Sequence, residues 1–197
     1  NLALAHINQT ESQIANLDTD TGTTAIQCRI HYDLARQVLL ADHHWGFAKK
    51  RVALADLGNP PSTWDFRYDY PADCVRFHHI QLPNRDCLPI RYSVEDDGLE
   101  AGLSILTDDE GAIGVYTYNV ENTVLFTPMF SSALSWYLAS ELAVAIAGDS
   151  KRQEQAFAVY GRLLSAAKAM DSEEGQQDPE FDSPWERARQ GRGDEYA

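Results

Sequence analysis

The spacing of hydrophobic residues changes twice along this chain, and that change constrains the fold more than any other feature. Beyond the Pro60-Pro61 pair, apolar and polar residues alternate as they do in half-buried strands. On both sides of this stretch the apolar residues instead recur at helical spacing, over residues 2–17, 24–42, 131–147 and 150–170. The order helices, strands, helices predicts an α+β domain.

Each part of the predicted domain has bounds. We expect a helical bundle over residues 1–58 and 128–170, made of N-terminal helices and a C-terminal helix hairpin. Residues 59–127 are expected to form a central antiparallel β insert. Within it, the strands 103–106 and 113–118 are expected to be joined by a hairpin turn, because Asp and Gly residues connect them.

The C-terminal stretch 171–197 differs in composition from the rest of the chain. It holds nine acidic and three basic residues, and almost no aliphatic ones. Such a segment cannot build a core of its own, so we predict an extended or disordered C-terminal arm. The whole chain of 197 residues has 16 Lys and Arg against 30 Asp and Glu, a net charge of −14. The arm therefore contributes −6 and the body −8.

The predicted helix over 24–42 has a wide apolar side. One stripe comprises Ala25, Cys28, Tyr32, Ala35 and Leu39. An adjoining stripe comprises Ile26, Ile30, Leu34 and Val38. This pattern predicts a helix that is buried on a broad face.

Residues near the predicted helix ends suggest how those ends are capped. Thr23 or Thr24 is expected to cap the helix over 24–42, and Ser131-Ser132 the helix that follows the strands. Gly148 is expected to stop that helix, because glycine readily takes the left-handed conformation of a helix end.

Composition excludes several classes of protein. We expect no basic nucleic-acid-binding domain, since the sequence has neither a surplus nor an obvious cluster of Lys and Arg. Uninterrupted apolar stretches fall far below the roughly 20 residues that span a bilayer, and no secretory signal is visible, so we expect no membrane association. Cys28, Cys74 and Cys87 are an odd number without a CxxC pair, which argues against a disulfide framework or a zinc knuckle.

No pattern in the sequence predicts catalytic, cofactor-binding or metal-binding residues. His78 and His79 are neighbours in a predicted strand and should point to opposite faces, while His43 and His44 fall at a helix end. The sequence contains neither a GxSxG elbow nor a glycine-rich phosphate loop. The acidic runs 96–97 and 108–110 lie beside glycines, where solvated surface charge is expected.

Aromatic and turn residues occur in a fixed order around the predicted helix–sheet boundary. We expect Trp45 and Phe47 to fill the junction between helix and sheet. Pro71 and Asp73 should set a turn that directs Cys74 into the core. The same turn should leave Arg76 free to pair with a polar group. The set that we expect to define the fold is Trp45, Phe47, Tyr70, Pro71, Asp73 and Arg76.

With this series the chain resembles the tail tubular protein A family, the head-to-tail adaptors of short-tailed bacteriophages. The resemblance extends over residues 1–170. It is carried by Tyr32-Asp33-x-Ala35-Arg36, Leu39-Leu40, His44-Trp45-x-Phe47-Ala48 and Tyr70-Pro71-x-Asp73-Cys74-Val75-Arg76. The family tends to have a proline before the tryptophan, where this chain has His44.

The resemblance implies a structural virion protein without enzyme activity or cofactors, located at the portal–tail junction after synthesis in the host cytoplasm. It implies a ring, with twelve copies expected, between a portal protein and a tail nozzle protein. The genome would leave through its channel without specific binding, past a wall whose acidic residues repel phosphates. The apolar faces of residues 24–42 and 131–170 would then serve the core, a neighbouring subunit, or both.

The same resemblance assigns the C-terminal arm to portal docking. Phe181 and Trp185 would act as hydrophobic anchors, and three arginines would meet acidic neighbours. These arginines are Arg187, Arg189 and Arg192. Two alternatives stay open at this point: a small acidic metal-dependent hydrolase that uses His43, His44, His78 and His79, and an acidic protein-binding module.

Overall fold

A computed structural model describes residues 1–9, 13–83, 90–96 and 102–174 of the chain. Over these residues the fold is α+β, as predicted, with four helices and two three-stranded antiparallel sheets. The described residues do not include Cys87, Asp97 or residues 175–197 of the predicted arm. The predicted docking residues of the arm therefore lie outside them: Phe181, Trp185, Arg187, Arg189 and Arg192.

The helices are α1 (Leu2–His6), α2 (Thr23–Asp42), α3 (Pro128–Ala147) and α4 (Ser150–Glu174). Helix α3 lies centrally and contacts the other three, and it packs most extensively on α4, as the predicted hairpin requires. By length and composition alone α3 could cross a membrane, contrary to the expectation drawn from uninterrupted apolar stretches. It buries eight of its side chains in this fold, among them Phe130 and Leu142, which are completely buried.

The strands are β1 (Lys49–Ala53), β2 (Phe66–Asp69), β3 (Cys74–Gln81), β4 (Tyr92–Asp96), β5 (Leu103–Thr107) and β6 (Ile113–Tyr118). One sheet has the order β1-β6-β3 and the other β2-β5-β4. A second, smaller core forms on these strands around Tyr68, Ile80, Ile105 and Ala112. The strands are short, as predicted, but their burial does not follow the alternating pattern. β5 and β6 each contain four consecutive buried residues, whereas β1 is mostly exposed.

The predicted pairing of the strands over 103–106 and 113–118 is wrong. β5 pairs with β2 and β4, whereas β6 pairs with β1 and β3 in the other sheet. The Asp/Gly turn between them therefore crosses from one sheet to the other. Strand β1 was not predicted, because its sequence Lys-Lys-Arg-Val-Ala has no clear alternation.

Both ends of the predicted helix arrangement also need correction. The helix expected over 2–17 ends at His6, because Asn8 takes a left-handed conformation with φ 59°. Instead of continuing the helix, the following loop is tied to α2 by Arg29, which donates to the carbonyl oxygens of Leu17 and Asp20. At the other end, α4 continues to Glu174, so the first four residues of the predicted arm are helical.

The predicted N-terminal caps are wrong by a few residues, and the predicted C-terminal stop is confirmed. Gly22, in extended conformation, precedes α2 without any side-chain cap. Thr127 caps α3 in place of the serines, because Oγ1 of Thr127 accepts a hydrogen bond from the Phe130 amide and Pro128 starts the helix. Gly148 ends α3 with φ 62°.

Candidate interaction surfaces

The aromatic residues after α2 lie in the core between the helices. Trp45 is completely buried, and its Nε1–H donates to the carbonyl oxygen of Leu39 at 2.8 Å. Its ring meets that of Phe130 edge-on, with centroids 5.1 Å apart. Phe47 is half-buried and contacts both Phe126 and Phe130. These contacts fix the end of α2 against the start of α3.

The turn before β3 is held by a small polar network. The Cys74 amide donates to the Pro71 carbonyl oxygen, which closes the turn. The Asp73 carboxylate accepts from Lys50 Nζ and from the Tyr116 hydroxyl. Burial raises the pKa of Asp73, but the two hydrogen-bond donors outweigh that effect and leave the pKa lowered. The turn is thereby tied to β1 and β6.

Cys74 and Tyr70 form a second contact in this turn. The Cys74 thiol donates to the Tyr70 hydroxyl oxygen at 3.2 Å. Burial raises the pKa of both groups, so both are protonated at neutral pH. A protonated, half-buried thiol is a poor nucleophile, which fits a packing role.

Two arginines bind α2 to its surroundings. Arg76 on β3 donates from Nη1 to the Ala41 carbonyl oxygen at 2.8 Å. Arg36 is 3 % exposed and donates to the Val120 carbonyl oxygen and to the carboxylate of Asp33. Among the residues that carry the family resemblance, Trp45 thus packs on α3, while Arg36 and Arg76 link α2 to Val120 and to β3.

The sheet also assembles a group of cations that the sequence displays only in part. Lys49 on β1 and Arg76 on β3 both align with Thr117 of the intervening strand β6. Arg51 lies two residues beyond Lys49, on the same face of the sheet. We call Lys49, Arg51 and Arg76 the cationic row. Lys49 and Arg51 belong to the run Lys49-Lys50-Arg51, so the expectation that the sequence has no obvious Lys/Arg cluster was wrong. Only Arg76 comes from a distant part of the chain and joins this run across β6.

Three histidines lie beside the cationic row. The rings of His44 and His78 are in contact, with centroids 3.4 Å apart, and His78 Nε2 is 2.7 Å from Thr117 Oγ1. Burial, followed by the nearby positive charges, lowers the pKa of His44, His78 and His79, that of His78 to about 4. These rings are neutral at pH 7.

The four histidines of the alternative hydrolase site do not all lie together. His43 turns away from His44 toward α4, where its Nε2 lies 3.1 Å from a carboxylate oxygen of Asp171. Within the described part of the chain, no group of three or more His, Cys, Asp or Glu side chains is placed to hold a metal ion.

Helix α2 shows which of its two apolar stripes faces the core. Ala25, Cys28, Ala35 and Leu39 are buried, as predicted. The second stripe is not: Ile26 is 42 % exposed, Ile30 61 %, Leu34 64 % and Val38 39 %. We call these four residues the α2 stripe. Within the described residues, α2 therefore buries only the first of its two apolar stripes.

An apolar cleft of about 440 Å³ opens on the other side of α2. It lies between the N-terminal segment, α2 and α3, and its lining includes Leu4, Cys28, Tyr32, Leu134 and Leu138. Burial raises the pKa of the Tyr32 hydroxyl, so the ring carries no charge at neutral pH. The cleft suits an apolar side chain better than acid–base chemistry.

Comparison with known proteins does not assign the chain to a family: no protein-family model matches it, and no curated protein sequence matches it.

Proposed function

We propose that this chain is a structural virion protein, the head-to-tail adaptor of a short-tailed bacteriophage. It forms a ring between the portal and the tail nozzle and is a conduit for DNA ejection. The family resemblance supplies this identity. The observation that carries the proposal is the α2 stripe, which gives the subunit an apolar surface of the kind that a ring must bury.

The α2 stripe has the form of an interface and not of scattered surface residues. Its four aliphatic side chains lie at i, i+4 spacing and so run along one side of the helix over about 18 Å. Single exposed apolar residues are normal, whereas a contiguous patch marks a contact surface. A monomer gains nothing from such a stripe beside a complete core.

The outer face of α4 offers a complementary surface. Phe157, Gly161, Ser165 and Ala169 are all exposed and share the same four-residue spacing. A Cβ placed on Gly161 would meet nothing within 4 Å, so the surface there is open to solvent. Gly161, Ser165 and Ala169 are small, and we call the low row that they form along the helix the α4 groove. A ridge of branched side chains packs into a groove of small ones when two helices meet. The α2 stripe of one copy therefore fits α4 of the next.

Charges beside these surfaces agree with that pairing. Asp33 borders the α2 stripe with a side chain that is 69 % exposed. Arg162 borders the α4 groove, is exposed, and forms no ion pair within the described residues. Two different faces that meet around a symmetry axis form a heterologous contact, which closes into a ring when the rotation permits.

The remaining parts of the proposal rest on the resemblance. Twelve copies are expected in the ring. The arm over 175–197 is proposed to hold the portal, with Phe181 and Trp185 as anchors, and the acidic body lets DNA slide past without binding. No enzyme activity is proposed.

The test is to mix the full chain with the portal protein encoded in the same genome and to weigh the product by native mass spectrometry. We expect a stoichiometric complex that carries a full ring of this chain. A chain that never binds the portal would contradict the adaptor proposal. Deletion of residues 175–197 is expected to abolish binding, and a deleted chain that still loads a full ring would contradict the role of the arm alone.

A further inference from the structure

We propose that the cationic row is a docking site for the acidic C-terminal segment 178–186 of the same chain. The row lies in the described structure. Its proposed occupant begins four residues after Glu174, the last residue that the structure describes. The docking goes beyond the adaptor function and does not depend on it.

The cations of the row are available for a partner. Lys49 and Arg51 are exposed, and neither forms an ion pair with any residue of the described ranges. Lys50, between them, points to the other face and is bound to Asp73. Arg76 uses Nη1 on the Ala41 carbonyl oxygen and is otherwise exposed. The chain as a whole has a net charge of −14, whereas this face of the sheet carries three cations and histidines that are neutral at pH 7.

The chain leaves the described structure next to this row. Asp171 near the end of α4 accepts hydrogen bonds from the Gly46 amide, at 3.0 Å, and lies 3.1 Å from His43 Nε2. Glu174, the last described residue, lines a cleft of about 380 Å³ together with His44 and Lys49. The end of α4 is therefore held beside the first residue of β1.

The reach is short enough for docking within one subunit. The first acidic residue beyond the helix, Asp178, follows Glu174 by four positions. Four residues span up to about 13 Å. Strand β3 lies two strand spacings from β1, about 10 Å. Helix α4 need not unwind for the segment to reach the row.

The sequence of the segment matches the row in charge and spacing. Residues 178–186 read Asp-Pro-Glu-Phe-Asp-Ser-Pro-Trp-Glu and carry four carboxylates and no cation. Asp178, Glu180 and Asp182 alternate with other residues, so in an extended chain their side chains would share one side, about 7 Å apart. Lys49 and Arg51 have the same separation along β1.

One consequence concerns the portal, and only this consequence rests on the proposed function. Phe181 and Trp185, the proposed portal anchors, lie inside the docked segment. Docking would keep both side chains on their own subunit until the portal competes for them.

The test is hydrogen–deuterium exchange of the full chain at low ionic strength, followed by mass spectrometry on peptides that cover 178–186. The variant Lys49→Glu/Arg51→Glu is compared with Arg91→Glu/Lys151→Glu, which reverses two exposed cations outside the row and so changes the net charge equally. We expect the segment to exchange faster only in the first variant. Loss of two surface ion pairs predicts an increase between about twofold and about thirtyfold.

Three results would overturn the proposal. They are equal exchange in the wild type and both variants, equal acceleration in both variants, and protection that disappears on dilution, which would mean docking on another copy. Protection that persists on dilution and decreases with added salt supports it. If the double variant does not fold, the single variant Lys49→Gln is used, with carbodiimide cross-linking of wild-type Lys49 to carboxylates of 178–186 as a second readout that must be positive.

Discussion

Arg76 on β3 donates a hydrogen bond from Nη1 to the carbonyl oxygen of Ala41, at 2.8 Å, one residue before α2 ends. The last carbonyl groups of a helix lack partners within the helix, and they carry the negative end of its dipole. The guanidinium satisfies one of them and complements the dipole. This contact fixes α2, and the stripe it exposes, relative to the sheet.

The Arg76→Met variant should be less stable than the wild type by about 1–2 kcal/mol, because it loses a charge-assisted hydrogen bond at a helix end. Urea unfolding followed by circular dichroism measures the free energy of unfolding. The matched control is Arg51→Met on the same sheet face, which should change it by less than about 0.5 kcal/mol. Equal losses in the two variants would show that the Ala41 contact contributes nothing.

The Trp45→Phe variant should lose about 2–3 kcal/mol of the free energy of unfolding. The smaller ring leaves a cavity beside Phe130, and the Leu39 carbonyl oxygen loses its donor in a buried position. Trp64→Phe serves as the control, since Trp64 is only half-buried, and should cost less than about 1 kcal/mol. Denaturant midpoints that rank the two variants in the opposite order would contradict the central position of Trp45.

Stability should fall with acidification through His78. Its pKa is lowered from 6.5 to about 4 in the folded protein, so the unfolded chain binds the proton first as the pH drops. The stabilisation is complete above about pH 6.5 and is lost as the pH falls toward 4. Relative to His78→Gln, the wild type should lose on the order of 1 kcal/mol between pH 7 and pH 4.5.

The check is the difference in unfolding free energy between wild type and His78→Gln across this pH range. Because glutamine can keep the hydrogen bond to Thr117, the difference between the two proteins reports the effect of protonating His78. A difference that stays constant with pH would mean that His78 does not titrate as described.

The sequence predicted where the helices and strands lie better than it predicted which strands pair. The bounds of α2 and the end of α3 at Gly148 follow from local periodicity and from the conformational freedom of glycine, which the sequence displays. The pairing of β5 and β6 failed because a turn constrains only the residues within it, while each strand finds its partner through distant contacts. Capping by Thr127 was missed because the competing serines lie one turn further on.

The surfaces that we propose as binding sites were harder to predict than the fold. The cationic row joins residues of β1 and β3 across β6, and no local pattern links Lys49 to Arg76. The α2 stripe was visible as an apolar pattern, but the sequence could not distinguish a core stripe from an exposed one. That distinction depends on how α3 packs on α2. The available signal was the angle between the stripes, which at 3.6 residues per turn lie on nearly opposite sides of the helix.

Charges placed on the α2 stripe should impair assembly without unfolding the subunit. Ile30→Asp/Leu34→Asp substitutes two exposed side chains, so the free energy of unfolding should change by less than about 1 kcal/mol. The number of copies bound per portal, measured by native mass spectrometry, should fall below a full ring. Val124→Asp, at an 86 % exposed site outside α2, is the control and should assemble normally. Full rings from the double variant would contradict the role of the stripe.

Photo-cross-linking from position 34 tests most directly whether the α2 stripe is the contact between neighbouring subunits. A photoreactive phenylalanine analogue replaces Leu34, the full chain is assembled on the portal protein, and the cross-linked products are weighed after denaturation. We expect a ladder of covalent multimers of this chain, with the cross-linked peptide in α4. Cross-links to the portal alone, or none between copies of this chain in an assembled complex, would contradict it.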